Sequence, residues 1–403
     1  MLLAGDFIPQ NRLVSLPDSF RRQTILANLE GPVCSDGLRK SEKVGLCLHT
    51  TARKGMFDTL PRFAFSLANN HLMDYSEEGL RQTVQILGQS SIPWAGAGKN
   101  EAEARKPMIL EEEGKRIAVF CCCERQFGMA TRNTAGCASM GVWLYSAIRK
   151  IKASGEADLV IVSCHAASEY SPWVSPTLHD FYHTLVDVGA DCIHGHHAHV
   201  PQGYEEYKGR PIFYGLGNFV VDPGMWCGNP HQLWSLVVDI RFGKGKVEWS
   251  LKPFAVTLTS DILTVSCIAE DDECGYADYL DCANAQFATK DILEACWQEV
   301  CVRLYHKLYE QRLRASQVSP CRLSVRDVLR KLMLVIMDFW SIVSLGRKPT
   351  NWSRYYAKVL YNYFNCQSHV DSISTALAVL TGSEVDLRSA ETRRLAEKLR
   401  IRD

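Results

Sequence analysis

Five short apolar runs between residues 1 and 193 each end in a loop carrying a carboxylate, an amide or an imidazole. Gly5-Asp6 follows the run 1–4, Asn28-Leu29-Glu30-Gly31 the run 24–27, Asn69-Asn70-His71 the run 63–67, and His165 the run 159–163. Gly195-His196-His197-Ala198-His199 follows the run 191–193 and holds three of the chain's twelve histidines. A strand ending in such a loop aims ligating side chains at one point, and imidazole is the commonest protein ligand for divalent transition metals. Any one of these loops alone reads as a solvated turn or a satisfied polar residue. Five in series are hard to explain by packing, and they restrict the chain to folds that gather strand ends together.

The pattern around them supports such a fold. Further strand candidates are 116–122 and 211–214, and helical segments such as 77–88 and 177–188 lie between strands. This alternation predicts an α/β domain. Runs 234–240 and 246–252 flank Arg241-Phe242-Gly243-Lys244-Gly245 and predict an antiparallel hairpin, so the sheets are expected to be mixed. The character changes near residue 258. Ile292, Cys296, Val300, Leu304 and Leu308 repeat at helix spacing within 289–314. Ser324-Val325-Arg326-Asp327 resembles a capping box opening a helix to Leu345, and 352–364, 372–380 and 386–400 also read as helices. The organisation expected is an α/β domain over 1–257 and an all-helical region over 258–403, with no strand-rich segment in the latter. The aromatic set Trp352, Tyr355, Tyr356, Tyr361, Tyr363 and Phe364 reads as core or interface.

Composition narrows the function classes. Lys plus Arg equals Asp plus Glu at 45 each, which argues against a dedicated nucleic-acid binder, because phosphate contacts need a cationic footprint. The 16 cysteines form no Cys-x-x-Cys pair, and Cys121-Cys122-Cys123 alternates within an apolar run as core packing. So many unpaired thiols suit a reducing compartment. No basic leader precedes Asp6, and the apolar stretch 332–337 is broken by Asp338. It falls far short of the ~18–20 residues of a membrane span. A cytoplasmic location without a membrane span is the expectation.

Carboxylates, an amide oxygen and imidazoles make a mixed oxygen and nitrogen donor set suited to manganese, iron, zinc or magnesium. Two cations about 3.5–4 Å apart would need a bridging carboxylate. Gly5-Asp6, Asn28-Leu29-Glu30-Gly31-Pro32, Ala68-Asn69-Asn70-His71 with Asp74-Tyr75, His165 with Glu169-Tyr170, and Gly195-His196-His197-Ala198-His199 resemble, in order, the motifs of the CapA-like family. This is the poly-γ-glutamate capsule-biosynthesis group of calcineurin-like metallophosphoesterases. Gly209-Arg210-Pro211-Ile212-Phe213-Tyr214-Gly215-Leu216-Gly217-Asn218-Phe219 resembles the signature that follows the family's histidine loop. The resemblance spans roughly residues 3–255 and leaves out the C-terminal helices.

The resemblance implies a four-layer α-β-β-α sandwich with mixed sheets and a site at the strand ends. It implies two divalent cations, with Asp6 and Glu30 as holding or bridging carboxylates. Asn70, His165 and His197 would be ligands of one cation and His199 of the other. His71 would be the acid beside the site that protonates a leaving group. Asp74 would orient His71, or else cap helix 77–88. The chain departs from the wider pattern at Ile8, where metallophosphoesterases generally carry His. It also has Ala166-Ala167-Ser168 where relatives often carry Trp-Gly, and a third histidine, His196, that leaves the Gly-His-x-His register open. Arg12, Arg39 and Lys43 read as surface charge. His49, His179, His183, His231, His306 and His369 read as structural or exposed, and His194 as packing behind the site.

The resemblance implies a metal-dependent hydrolase cleaving a phosphoester or amide-type bond in capsule poly-γ-glutamate or a related anionic polymer. The competing reading is a non-catalytic metal- or polymer-binding assembly subunit. Expected partners are an anionic polymer or a small phosphoester. The C-terminal helices, expected to pack on the α/β domain, offer a lid, a self-association element or a docking surface for a synthase.

Overall fold

A computed structural model describes residues 1–43, 46–51, 57, 62–225, 229–243, 247–268, 270–310 and 351–401, with backbone alone for 270–274 and 351–357. One sheet runs β2 (Leu13–Ser15), β19 (Ile262–Cys267), β18 (Val247–Thr259), β17 (Trp234–Phe242), β1 (Leu2–Ile8), β3 (Ile25–Leu29), β6 (Phe63–Ser66), β7 (Trp94–Ala95). β16 (Asn218–Val221) also pairs with β1. The other runs β14 (Tyr204–Tyr207), β15 (Arg210–Phe213), β13 (Cys192–His196), β12 (Leu159–His165), β10 (Lys115–Cys123), β9 (Met108–Glu112). Two short ladders join β4 (Val33–Cys34) to β5 (Thr50–Thr51) and β8 (Ala97–Gly98) to β11 (Gly136–Cys137). Both large sheets are mixed: β1, β3, β6 and β7 are parallel, as are β10, β12, β13 and β15, while β17, β18, β9 and β14 join antiparallel.

Side-chain alternation explains the layering, because successive residues of a strand face opposite ways. Leu3, Leu26 and Ala64 of the first sheet meet Val119, Cys121, Ile161 and Phe213 of the second in a core between the sheets. Phe7, Ala27 and Phe65 face outward, where Leu80 and Leu87 of α1 (Ser76–Gln89) join them. The short α2 (Glu101–Ala104) leads into β9. Phe120, Cys122 and Val162 face the opposite side, under Leu144, Ile148 and Ile151 of α3 (Trp143–Ser154) and Leu178, Tyr182 and Leu185 of α4 (Pro176–Asp187). The result is the four-layer α/β sandwich. The cysteine triplet divides between two cores as alternation requires, and among the described residues its thiols are free.

Two strand assignments correct the sequence reading of an all-helical region from residue 258. The strand that follows residue 246 continues to Thr259, and β19 lies beyond residue 258, where the pattern reads as helical throughout. Leu263 and Val265 of β19 point inward, and Ser260 and Asp261 form its turn with φ of 47° and 74°. Left-handed turn residues other than Asn-Gly are a weak signal in sequence, and this one carries none of the usual glycine.

The C-terminal region is helical: α5 (Glu270–Asn284), α6 (Lys290–Leu304), Asn351–Asn365, Gln367–Thr381 and Ala390–Lys398. The helix expected from Ser324 to Leu345 lies outside the described residues. Cys296, Val300 and Leu304 are buried as the stripe predicts, whereas Ile292 is exposed. These helices pack on the sandwich around the fully buried Trp173. Polar contacts fix the seam: Tyr279 Oη donates to Pro201 O (2.6 Å), Val174 N to Gln286 Oε1 (2.8 Å) and Ser368 Oγ to Glu124 Oε1 (2.8 Å). Among the described residues no helix is long and apolar enough to cross a membrane.

Candidate metal centre

The parallel strands set the geometry, because their register aligns the polar residues at their carboxyl ends. Asp6 of β1 lies opposite Asn28 of β3, and His165 of β12 lies opposite His196 of β13. Ligands in open α/β sheets gather at this end of the strands. Two glycines let the backbones close. A Cβ on Gly5 would overlap the carbonyl of Gly217, and one on Gly195 would overlap the carbonyl of Tyr214. Glycine before Asp6 and before His196 is therefore a requirement of close approach.

Glu30 sits at the middle of the site. It is fully buried, and neither carboxylate oxygen has a hydrogen-bond partner among the described residues. Three imidazole nitrogens surround its Oε1 beyond hydrogen-bond reach: His199 Nε2 at 3.6 Å, His71 Nε2 at 3.8 Å and His165 Nε2 at 3.9 Å. A buried carboxylate without donors is costly. Donor atoms converging on a point at these separations leave room for a cation bonded at about 2.0–2.2 Å to each.

Two groups of donors share Glu30. Asp6, Glu30 and His199 have ligand atoms within 4.8 Å of one another, and so do Glu30, His165 and His197. Asn70 Oδ1 lies 3.0 Å from His165 Nε2 and adds an oxygen to the second group. Thus the structure brings together all six predicted ligand residues, with Glu30 common to both groups. Asp6 is oriented by Asn28 Nδ2 (2.8 Å), which Asn69 fixes in turn through Asn28 Oδ1 (3.1 Å).

The histidine loop separates its three rings. His197 and His199 hold φ of 93° and 57°, uncommon for non-glycine residues and worth of order 1–3 kcal/mol of strain each. That backbone turns both rings into the site while Ala198 packs against Ala167 and Val200. His196 is turned toward the β12 side, with Nε2 3.1 Å from Ser163 Oγ and Nδ1 2.7 Å from His165 Nδ1. Both His196 nitrogens are therefore engaged, whereas His197 Nδ1 has no partner among the described residues. His196 does form a tight group with Asp6 and His165, so it lies within the cluster and orients His165. His194 packs behind, with Nε2 donating to Ala4 O (2.8 Å).

His71 stands beside the cluster. Its Nδ1 is 2.6 Å from Asp74 Oδ2, so the proton there is held by the carboxylate and Nε2 faces Glu30. The N-cap position of α1 is Tyr75 without a side-chain cap, so Asp74 is not its cap. Lys43 corrects the surface-charge reading. Its ammonium donates to Asn70 O (2.9 Å) and Asp74 Oδ1 (2.9 Å) and lies 3.1 Å from His71 Nδ1, with a side chain only 9% exposed. Arg12 is likewise paired, to Asp222 at 2.9 Å and to Asp261.

Burial dominates the electrostatics. It raises Glu30 well above the usual carboxylate range, with Asp6 adding to the effect, and it raises Asp6 as well. It lowers His165, with help from His197, and lowers His196 and His199. Burial and the nearby Lys43 ammonium hold His71 at about 4. Burial is the largest influence on His197 and opposes its protonation, but the Glu124, Glu169 and Asp6 carboxylates together outweigh it and raise it. Carboxylates that resist ionising beside imidazoles that resist protonation lack a counter-charge, and a divalent cation supplies one with both ligand types in their binding forms.

The site opens into a cleft of about 360 Å³. Lys43, His71, Glu169 and His199 line one wall, and Tyr309, Tyr363 and His369 from the C-terminal helices line the other. Sequence reasoning gave no role to Gln126, whose side-chain nitrogen lies 2.9 Å from His197 Nε2, or to Asn218, whose Oδ1 lies 3.0 Å from His199 Nδ1. Glu169, quoted only as part of a motif, groups with His197 and His199. Asn218 stood in the recognised signature, and its register opposite Asp6 is the feature that assigns it.

Fold and site together define a four-layer α/β sandwich with a buried carboxylate–imidazole centre at its strand ends. The chain belongs to the bacterial capsule synthesis protein PGA_cap family, whose model matches residues 18–223 and so takes in every site residue from Glu30 to Asn218 but not Asp6. It is 33% identical over 208 residues to the capsule biosynthesis protein CapA of Bacillus anthracis, covering 50% of this chain and 51% of the relative. It is 30% identical over 207 residues to the PGA biosynthesis protein CapA of Bacillus subtilis (strain 168), covering 50% and 53%. The chain spans about half the length of the curated relatives it matches. A solved structure of a hypothetical protein from Thermus thermophilus aligns over 63% of this chain and 99% of its own at 16% identity, but its TM-score of 0.38 carries no argument.

Proposed function

We propose that this chain is a divalent-metal-dependent hydrolase of the capsule-synthesis family, acting on a phosphoester or amide-type bond of poly-γ-glutamate or a related anionic polymer. The observation that carries this reading is Glu30: a buried carboxylate without donors, ringed by imidazole nitrogens and shared by two ligand groups. Asp6, Glu30 and His199 would hold one cation, and Glu30, Asn70, His165 and His197 the other. Bound cations of this class polarise a carbonyl or phosphoryl oxygen and lower the pKa of water.

The chain's own residues would manage substrate and proton. The cleft wall formed by Lys43 presents a buried ammonium to an anionic group. Asp74 keeps the His71 proton on Nδ1, so Nε2 is the atom that exchanges protons with the reacting group. The resting imidazole is neutral, so a proton it delivers to a leaving group is one it has first accepted, and Asp74 stabilises the imidazolium between those events. The C-terminal wall restricts water around the scissile bond.

The test is turnover of a generic phosphodiester and of a γ-glutamyl amide by the full chain with manganese. Loss of activity in Glu30→Ala and His71→Ala supports the assignment, and unchanged activity in both refutes it. One observation favours the non-catalytic assembly reading: Ile8, at the position where metallophosphoesterases generally carry a ligand, is fully buried in β1. Metal binding without turnover of either substrate class would select that reading.

A further inference from the structure

On the outer side of the second sheet, away from the strand ends, two histidines of α4 face a glutamate of the edge strand β14. His179 and His183 are four residues apart, which places them on one helix face. Ligand atoms of His179, His183 and Glu205 lie within 4.8 Å of one another. His183 Nε2 is 2.7 Å from Glu205 Oε1, and His179 Nε2 is 3.5 Å from the same oxygen. The side chains are 18%, 19% and 21% exposed, so an ion reaches them from solvent.

We propose that His179, His183 and Glu205 form a second divalent-cation site, of the zinc class, that clamps α4 to β14. Two imidazoles and one carboxylate with an open fourth position match a zinc donor set. The ligands are oriented in advance. Asp180 Oδ1 lies 3.1 Å from His179 Nδ1 and accepts its proton, leaving the Nε2 lone pair aimed at Glu205. That lone pair faces a carboxylate oxygen, an arrangement that calls for positive charge between them. The Tyr214 hydroxyl donates to Glu205 Oε1 (2.7 Å), and the Tyr207 ring stacks on His183 at 3.7 Å and 20°. Partners that fix tautomer and ring orientation are what metal-ligating histidines ordinarily have. On binding, the His183 ring proton passes through solvent from Nε2 to Nδ1, so the imidazole stays neutral and Nε2 offers its lone pair to the ion; protons compete for that lone pair, so affinity falls with acidity.

The proposal is independent of the function proposed above. The test is equilibrium dialysis of the full chain against zinc, beside His179→Ala/His183→Ala and Glu30→Gln. The expected result is about one tight zinc equivalent that survives Glu30→Gln and weakens at least roughly a hundredfold in the double variant. Equal zinc binding by the double variant and the unaltered chain overturns the proposal. Zinc-edge anomalous diffraction from the unaltered chain gives a second reading that needs no variant. A peak bonded to His179, His183 and Glu205 supports the site, and zinc peaks elsewhere with none here overturn it.

Discussion

Asp74 Oδ2 lies 2.6 Å from His71 Nδ1, and both residues sit on the single turn that joins β6 to α1. The pair is a fixed unit. The carboxylate sets the imidazole tautomer and points its other nitrogen at Glu30. His71→Ala is expected to lower turnover by about 10²–10⁴, the usual worth of a positioned general acid or base. Asp74→Asn is expected to lower it less and to leave metal content unchanged. Steady-state rates with metal analysis of each variant check this, and a loss of metal in His71→Ala would reassign that residue as a ligand.

The site was largely legible in sequence because parallel strands make it so. Asp6, Glu30, Asn70, His71, His165, His197 and His199 all follow apolar runs, and the fold aligns the ends of those runs. Lys43 was not legible, because it lies in an irregular segment whose partners are the backbone of Asn70 and the carboxylate of Asp74. No periodicity marks such a contact. The choice between His196 and His197 was open for a similar reason. It depends on where β13 ends and on left-handed backbone at His197 and His199, which residue type alone does not announce. The second cleft wall comes from helices outside the recognised motifs, so Tyr363 read as core or interface, His369 as structural or exposed, and Tyr309 carried no signal.

Lys43→Met tests the electrostatic role of the buried ammonium. Burial and Lys43 together hold His71 at about 4. Removing the positive charge makes protonation easier, so the His71 pKa moves up. The acidic limb of the pH–rate profile is expected to move to higher pH. A limb that stays in place, or moves down, contradicts the assignment.

Stability of the metal-free chain is expected to fall with acidity. Burial lowers His71, His165, His194, His196, His199 and His231, with His71, His194 and His231 each at about 4. Between that value and the ordinary 6.5, the unfolded chain binds protons that the folded chain refuses. Stability from these groups is present above 6.5 and is lost as pH falls toward 4, at up to roughly 1.4 kcal/mol per pH unit for a group such as His194. Asp6, Glu30, His197, Glu294 and Asp371, all raised, act in the opposite sense, but the six lowered imidazoles outnumber them. Urea denaturation at pH 7 and pH 5 in chelator checks the sign, and equal or greater stability at pH 5 contradicts it.

Gly5→Ala is expected to destabilise the fold by about 1–3 kcal/mol or more, as overpacking between backbones does. The added methyl meets the Gly217 carbonyl, which Asp6 N also contacts at 3.0 Å. Thermal unfolding checks it. Because Asn218 follows Gly217, the same change is expected to weaken metal binding. Unaltered unfolding and unaltered metal affinity would show that β1 and the Gly217 segment separate freely.

Anomalous diffraction at the manganese edge, from crystals of the full chain equilibrated with manganese, tests the central claim most directly. The account predicts density bonded to Glu30 at about 2.0–2.3 Å, shared with His199 and Asp6 on one side or with His165 and His197 on the other. A map with no anomalous density beside Glu30 would contradict it.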